Sequence, residues 1–170
     1  MKTFKLNSER PSVVRQSGDF NSHSSMMTAE HPIPDIKSFT QYAPILLSDD
    51  EPQITRLYEV LMMRVGLKTV SVPDGDVARD YLLDNPVSLV ISDLMKPHFN
   101  GLDLLSVLRQ NPSTTDVPFM IITATPDYES RKAFKSLGGD VYLTKPIDAR
   151  QLTQTVTQLL STQLSKQLSQ

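Results

Sequence analysis

Asp49, Asp50, Asp93, Thr123 and Lys145 are the residues of this chain whose types could do chemistry together. Three carboxylates brought to one place repel each other, and at neutral pH they favour a divalent cation. An all-oxygen set without His or Cys selects a hard ion such as Mg²⁺, which keeps several of its waters. A carboxylate beside such an ion can attack an activated phosphoryl group. The cation and Lys145 would then neutralise charge on the transferred oxygens, and the Thr123 hydroxyl could hydrogen-bond one of them. Taken singly, each residue has an ordinary reading: Asp caps helices and turns, Thr sits in strands, and a Lys at a strand end is solvated. The chemistry therefore depends on whether one fold brings all five to one edge.

The elements that must position them follow from the apolar pattern. Short apolar runs at 45–47, 69–72, 88–92, 118–123 and 141–144 read as strands, because they lack the alternation of a half-exposed strand. Amphipathic segments separate them. A helix starts near Pro52, carries Ile54, Leu57, Val60, Leu61 and Val65 on its apolar side, and stops at Gly66. Further helices are expected over 76–83, 101–108 and from Pro126 to about 137, the last stopped by Gly138-Gly139. Asp148 caps a final helix, with Gln151 three residues on. Strict alternation of five strands and five helices gives an α/β fold, a doubly wound parallel sheet of flavodoxin-like (βα)5 type with strand order 2-1-3-4-5. Its switch point lies between the first and third strands. Asp49 and Asp50 follow the first strand, Asp93 the third, Thr123 ends the fourth and Lys145 follows the fifth, so all five belong at one sheet edge.

Composition bounds the remainder. The chain has 170 residues, 39% of them hydrophobic, enough for one sizeable domain with appendages. Lys and Arg number 17 against 19 acidic residues, which leaves no basic footprint for nucleic acid. No apolar run approaches a membrane span, no secretory signal opens the chain, and the absence of cysteine sits easily with a reducing cytoplasm. Residues 1–43, rich in Ser, His, Pro and charge, read as a flexible arm; 44–160 form the domain; 161–170 are a helical extension or tail. His23 and His31 form no metal motif, and His98 is expected on an exposed loop. In the last helix Leu152, Val156 and Leu160 are expected in the core. Leu164 and Leu168 could pair chains as a homodimer or dock a partner.

The segments Asp49-Asp50, Asp93-Leu94-Met95-Lys96-Pro97-His98-Phe99-Asn100-Gly101, Thr123-Ala124 and Tyr142-Leu143-Thr144-Lys145-Pro146 resemble, in order, the receiver domain of bacterial two-component response regulators. The resemblance covers about 44–160 and is of the stand-alone, chemotaxis-regulator-like kind. It implies Asp93 as phosphoacceptor, with Mg²⁺ bound by Asp49, Asp50, the Asp93 side chain and the backbone carbonyl of Met95. It also implies Thr123 and Lys145 as the phosphoryl-sensing pair, Tyr142 as the aromatic switch residue, Ala124 as the small residue beside the pocket, and a cis bond between Lys145 and Pro146. Lys96 departs from the pattern, which has Met or another apolar residue there; its stem is expected to pack apolar surface while its charge reaches water.

The function implied is a switch, not an enzyme. A sensor histidine kinase or phosphotransfer protein phosphorylates Asp93, and an unidentified output protein reads the altered surface. The flanks are too short for an output domain of their own, so output is expected through protein–protein contact, without nucleic acid or membrane. A haloacid-dehalogenase-type phosphatase also forms an aspartyl phosphate, but it expects a second Asp where Met95 stands. A flavodoxin-like cofactor site would place a phosphate against Asp49-Asp50-Glu51, which repel it. A receiver fold used only as an interaction scaffold remains a further alternative. Met95 and Thr125 stand where the family tunes phosphoryl lifetime, and neither is charged, so slow self-hydrolysis is expected.

Overall fold

The computed structural model describes residues 43–96 and 98–167. The arm assigned to 1–43, with His23 and His31, lies outside the described residues except for Ala43, as do Pro97 and Leu168. Five strands, β1 (Ile45–Ser48), β2 (Thr69–Val72), β3 (Leu89–Ser92), β4 (Phe119–Thr123) and β5 (Val141–Thr144), form one sheet. Every pairing is parallel and the order is β2-β1-β3-β4-β5, the doubly wound arrangement expected from the alternation.

The helices are α1 (Pro52–Arg64), α2 (Gly75–Asp84), α3 (Gly101–Gln110), α4 (Tyr128–Ser136) and α5 (Ala149–Gln167). The starts of α2 to α5 are set by acidic or amide side chains that accept otherwise unpartnered first-turn N–H groups, whereas α1 opens on Pro52 without a side-chain cap. Asp74 accepts from the Val77 amide at 2.9 Å and Asp127 from that of Ser130 at 2.8 Å. Asn100 and Asp103 form a reciprocal capping box on α3. Asp148 accepts from the amides of Arg150 and Gln151. Gly66 and Gly138 close α1 and α4 with φ of 77° and 81°, where a side chain would be strained.

Successive strand residues feed opposite layers, which is why the strands read as unbroken apolar runs. Ile45, Leu47, Ile91, Met120 and Ile122 pack with Tyr58, Leu61 and Met62 of α1 and Leu152, Val156 and Leu160 of α5. Leu46, Val90, Phe119 and Ile121 face the other way, onto Ala78 and Leu82 of α2, Leu104, Leu105 and Leu108 of α3, and Phe134 of α4.

Three expectations are corrected. The buried side of α1 is Thr55, Tyr58, Leu61 and Met62, and Leu57 is 49% exposed. The phase is fixed by packing: the Tyr58 ring takes the core position, and Thr55 turns inward with its hydroxyl donating within the helix to the Glu51 carbonyl at 3.0 Å. Next, α4 begins two residues after Pro126, because Asp127 is its cap. Finally, β2 and β5 are only partly buried, since each is a sheet edge with one strand neighbour. Beyond residue 160, α5 continues to Gln167, with the Gln163 side chain donating to the Asp116 carbonyl at 3.3 Å and Leu164 half-buried.

Candidate phosphoryl-transfer site

The register of β1 and β3 determines the site. Ser48 pairs with Ser92, so Asp49 and Asp93 emerge side by side one residue later. The Asp93 amide donates to the Ser48 carbonyl at 2.9 Å and locks that alignment past the strand ends. Asp49 and Asp93 are buried and Asp50 is exposed, yet each offers a carboxylate oxygen within 4.8 Å of the others. Asp49 is held from its own loop by the Glu51 amide at 2.9 Å. Asp93 accepts weakly from the Met95 amide at 3.4 Å. The three carboxylates supply a hard, all-oxygen donor set, which suits Mg²⁺.

Lys145 reaches this cluster from β5. Its Nζ lies 3.0 Å from Asp49 Oδ2, 3.0 Å from Glu51 Oε1 and 3.5 Å from Asp93 Oδ2. Burial pulls the Lys145 ammonium towards neutrality, but its bonds to Asp49 and Glu51 and the nearby Asp93 charge outweigh that and raise its pKa. Burial raises the Asp93 pKa, Lys145 opposes the rise, and the Asp49 charge adds to it. The Lys145–Pro146 bond is cis, and the Lys145 amide donates to the Thr123 carbonyl at 2.8 Å. Thr123 is fully buried and accepts a bond from the Thr125 amide at 3.3 Å.

Tyr142 is half-buried on β5, in register with Ile121 of β4. Its ring meets Phe134 edge-on at 5.4 Å, and the Arg131 guanidinium lies 4.9 Å from its ring centre. Among the described residues the buried phenol oxygen has no hydrogen-bond partner, and burial raises its pKa. His98 is exposed with φ of 65°.

Lys96 contradicts its expectation. Its charge does not reach water: the residue is 8% exposed, and its Nζ donates to Ser48 Oγ at 2.5 Å, Ser92 Oγ at 2.8 Å and the Ser48 carbonyl at 3.2 Å. Burial lowers its pKa to about 8, and Asp93, Asp49, Asp50 and Asp74 oppose the fall. The loop that carries it is pressed close to its neighbours. A Cβ on Gly101 would meet the Asp93 carbonyl at 2.6 Å, and one on Gly75 would clash with the Phe99 carbonyl.

Asp49, Asp50, Asp93 and Lys145 are therefore brought together as the sequence predicts, with Thr123 and Tyr142 on the adjoining strands. Residue types alone did not reveal Glu51 as a partner of Lys145. Nor did they reveal Tyr58, a core phenol whose pKa burial raises to about 12, with Lys145 the largest nearby charge. The only signal for the Lys96 anchorage was a pair of serines closing two adjacent strands.

A parallel sheet of this order, with its polar centre at the carboxyl ends of β1 and β3, defines a flavodoxin-like α/β protein with its site at the switch point. The chain belongs to the response regulator receiver domain family, whose model matches residues 45–157. It is 36% identical over 116 residues to the transcriptional regulatory protein CpxR of Escherichia coli, covering 68% of this chain and 48% of CpxR. The chain thus spans about half the length of the curated relatives it matches. Among solved structures, the signal receiver domain of a histidine kinase from Syntrophus aciditrophicus superposes with a TM-score of 0.66 at 27% identity, over 70% of this chain and 90% of that one. A response regulator from Chloroflexus aurantiacus gives 0.67 at 25% identity, over 71% and 99%. No helix among the described residues is long and apolar enough to cross a membrane.

Proposed function

We propose that the chain is a phosphorylation switch in which Asp93 accepts a phosphoryl group from a sensor histidine kinase or phosphotransfer protein. The observation that carries this reading is the position of Asp93. It is almost buried at the switch point, within 4.8 Å of Asp49 and Asp50 oxygens and 3.5 Å from Lys145 Nζ. Asp49, Asp50, Asp93 and the Met95 carbonyl would hold Mg²⁺, which when bound supplies positive charge to the transferred oxygens. A carboxylate oxygen of Asp93 forms the new P–O bond as the phosphorus–nitrogen bond of a phosphohistidine donor breaks, and the proton needed by the leaving imidazole comes from solvent. Lys145 and the Thr123 hydroxyl then meet the added oxygens.

Drawing Lys145 and Thr123 to a phosphoryl group moves the loop between β4 and α4 and gives Tyr142 a new environment, so that the surface around α4 and β5 changes. Output runs through protein–protein contact at that surface, in the cytoplasm, without nucleic acid contact by this chain. Met95, 62% exposed, offers no carboxylate to activate water, which favours a switch over a turnover phosphatase. Incubation with acetyl phosphate and Mg²⁺, followed by intact mass, tests the reading. One phosphoryl adduct on the wild type and none on Asp93→Asn is expected. No adduct on the wild type, or an equal one on Asp93→Asn, overturns it.

A further inference from the structure

A buried ammonium directly behind an acidic centre calls for an account of what it does there. Ser48 Oγ donates its own proton to the Asp74 carbonyl at 3.3 Å, and Ser92 Oγ donates its proton to the Asp93 carbonyl at 2.8 Å. Both hydroxyls therefore turn lone pairs to Lys96, and the Ser48 carbonyl adds a third acceptor. Three acceptors around one nitrogen need three N–H donors, which only the ammonium form has. The cation is thus part of the hydrogen-bond pattern.

It touches no carboxylate: among the described residues Lys96 makes no ion pair, whereas Lys145 makes three. Instead it lies one residue back from Asp49 and Asp93, on the side of the sheet that Ser48 and Ser92 share with Leu46 and Val90. A charge so placed acts on the acidic cluster through low-dielectric protein rather than through water, where screening is weak.

We propose that Lys96 is a built-in counter-cation of the acidic centre, which offsets part of its negative charge from behind and so weakens divalent-cation binding by Asp49, Asp50 and Asp93. The inference rests on the reading of that trio as a Mg²⁺ site, and it makes Lys96 an affinity-setting residue rather than a ligand. The bonds that align the site do not involve the lysine: the Asp93 amide donates to the Ser48 carbonyl, and each serine hydroxyl donates to a backbone carbonyl. Removing Lys96 therefore removes a charge without touching the bonds that align Asp49 and Asp93.

Calorimetric titration of Mg²⁺ into the metal-free full chain at neutral pH tests the proposal, with Lys96→Met and Lys96→Gln as variants. Met keeps the length of the stem without the donor, and Gln keeps a donor without the charge. Both are expected to tighten Mg²⁺ binding by about tenfold. If either folded variant binds Mg²⁺ no more tightly than the wild type, the counter-cation role is overturned while the metal site stands. Asp49→Asn separates the two failures. If the wild type shows no saturable binding that Asp49→Asn removes, the site reading itself falls, and the inference with it.

Discussion

The acidic centre has two flanks, each with a lysine, and the two are built on opposite principles. On one flank Lys145 meets Asp49, Glu51 and Asp93 directly, and those bonds outweigh the cost of its burial. On the other, Lys96 is buried against serine hydroxyls and a carbonyl, and its desolvation outweighs the more distant carboxylates. The same residue type thus has its pKa raised in one place and lowered in the other. The difference shows how placement would decide role: a lysine in contact with the proposed phosphoacceptor could follow a transferred group, whereas one anchored behind it would supply a fixed field.

The largest expected contrast is in phosphorylation rate. Lys145→Ala removes the cation that meets Asp93, and by analogy with loss of a single charge-stabilising donor it should slow adduct formation from acetyl phosphate by about a hundredfold or more. Lys96→Gln should change that rate far less at saturating Mg²⁺. Time-resolved intact mass of the two variants checks the ordering, and equal losses would erase the distinction between the flanks.

Alkaline pH should move the flanks in opposite directions. The folded-state pKa of Lys96 is depressed from 10.5 to about 8, so between those values the unfolded chain binds the proton and the folded chain does not. Stability must then rise with pH across this interval, by up to about 3 kcal/mol from this group. For Lys145 the folded pKa lies above 10.5, so its contribution is complete below that pH and is lost above it. Denaturant melts of metal-free protein from pH 7 to 10.5 should show the rise in the wild type and lack it in Lys96→Met. Parallel curves for the two proteins would refute the assignment of a depressed pKa to Lys96.

Much of this arrangement is legible in the sequence. Leu46, Val90 and Ile121 announce central strands because both faces are covered, and Asp49, Asp93 and Lys145 fall at the carboxyl edge by topology alone. Asp148 is recognisable as a cap from its position ahead of a helical pattern, whereas Asp127 is not, because Pro126 draws the start of α4 too early. The phase of α1 was not legible, because Tyr58 takes its buried position through core contacts made only after folding, and Thr55 satisfies its hydroxyl within the helix, leaving Leu57 outside. Lys96 was misread for a related reason. Its burial needs Ser48 and Ser92, which are 44 residues apart in sequence, to meet as register partners; a long cationic stem otherwise places its charge in water.

A smaller effect tests how tightly the Lys96 loop is clamped. Gly101 leaves room for the Asp93 carbonyl, and a Cβ there would stand 2.6 Å from that oxygen and 3.2 Å from Leu94 Cα. Both neighbours are backbone, so Gly101→Ala must shift the loop that carries Asp93 and Lys96, at a cost of about 1–3 kcal/mol in denaturant unfolding. The same displacement should lower Mg²⁺ affinity. An Ala variant as stable as the wild type would mean that this flank is looser than its contacts imply.

The smallest effect lies at Glu51 and sharpens the other flank. Its carboxylate is 59% exposed although it sits 3.0 Å from Lys145, whereas the Asp49 partner at the same distance is almost buried. Solvent screens the exposed pair, so Glu51→Gln should cost less than about 1 kcal/mol in unfolding free energy. Lys145 keeps Asp49 and Asp93 after that change, and so should the phosphorylation rate of the wild type. A loss as large as that of Lys145→Ala would instead make Glu51 the residue that aims the lysine. The strength of this flank would then come from its exposed rim, not from the buried carboxylates beneath it.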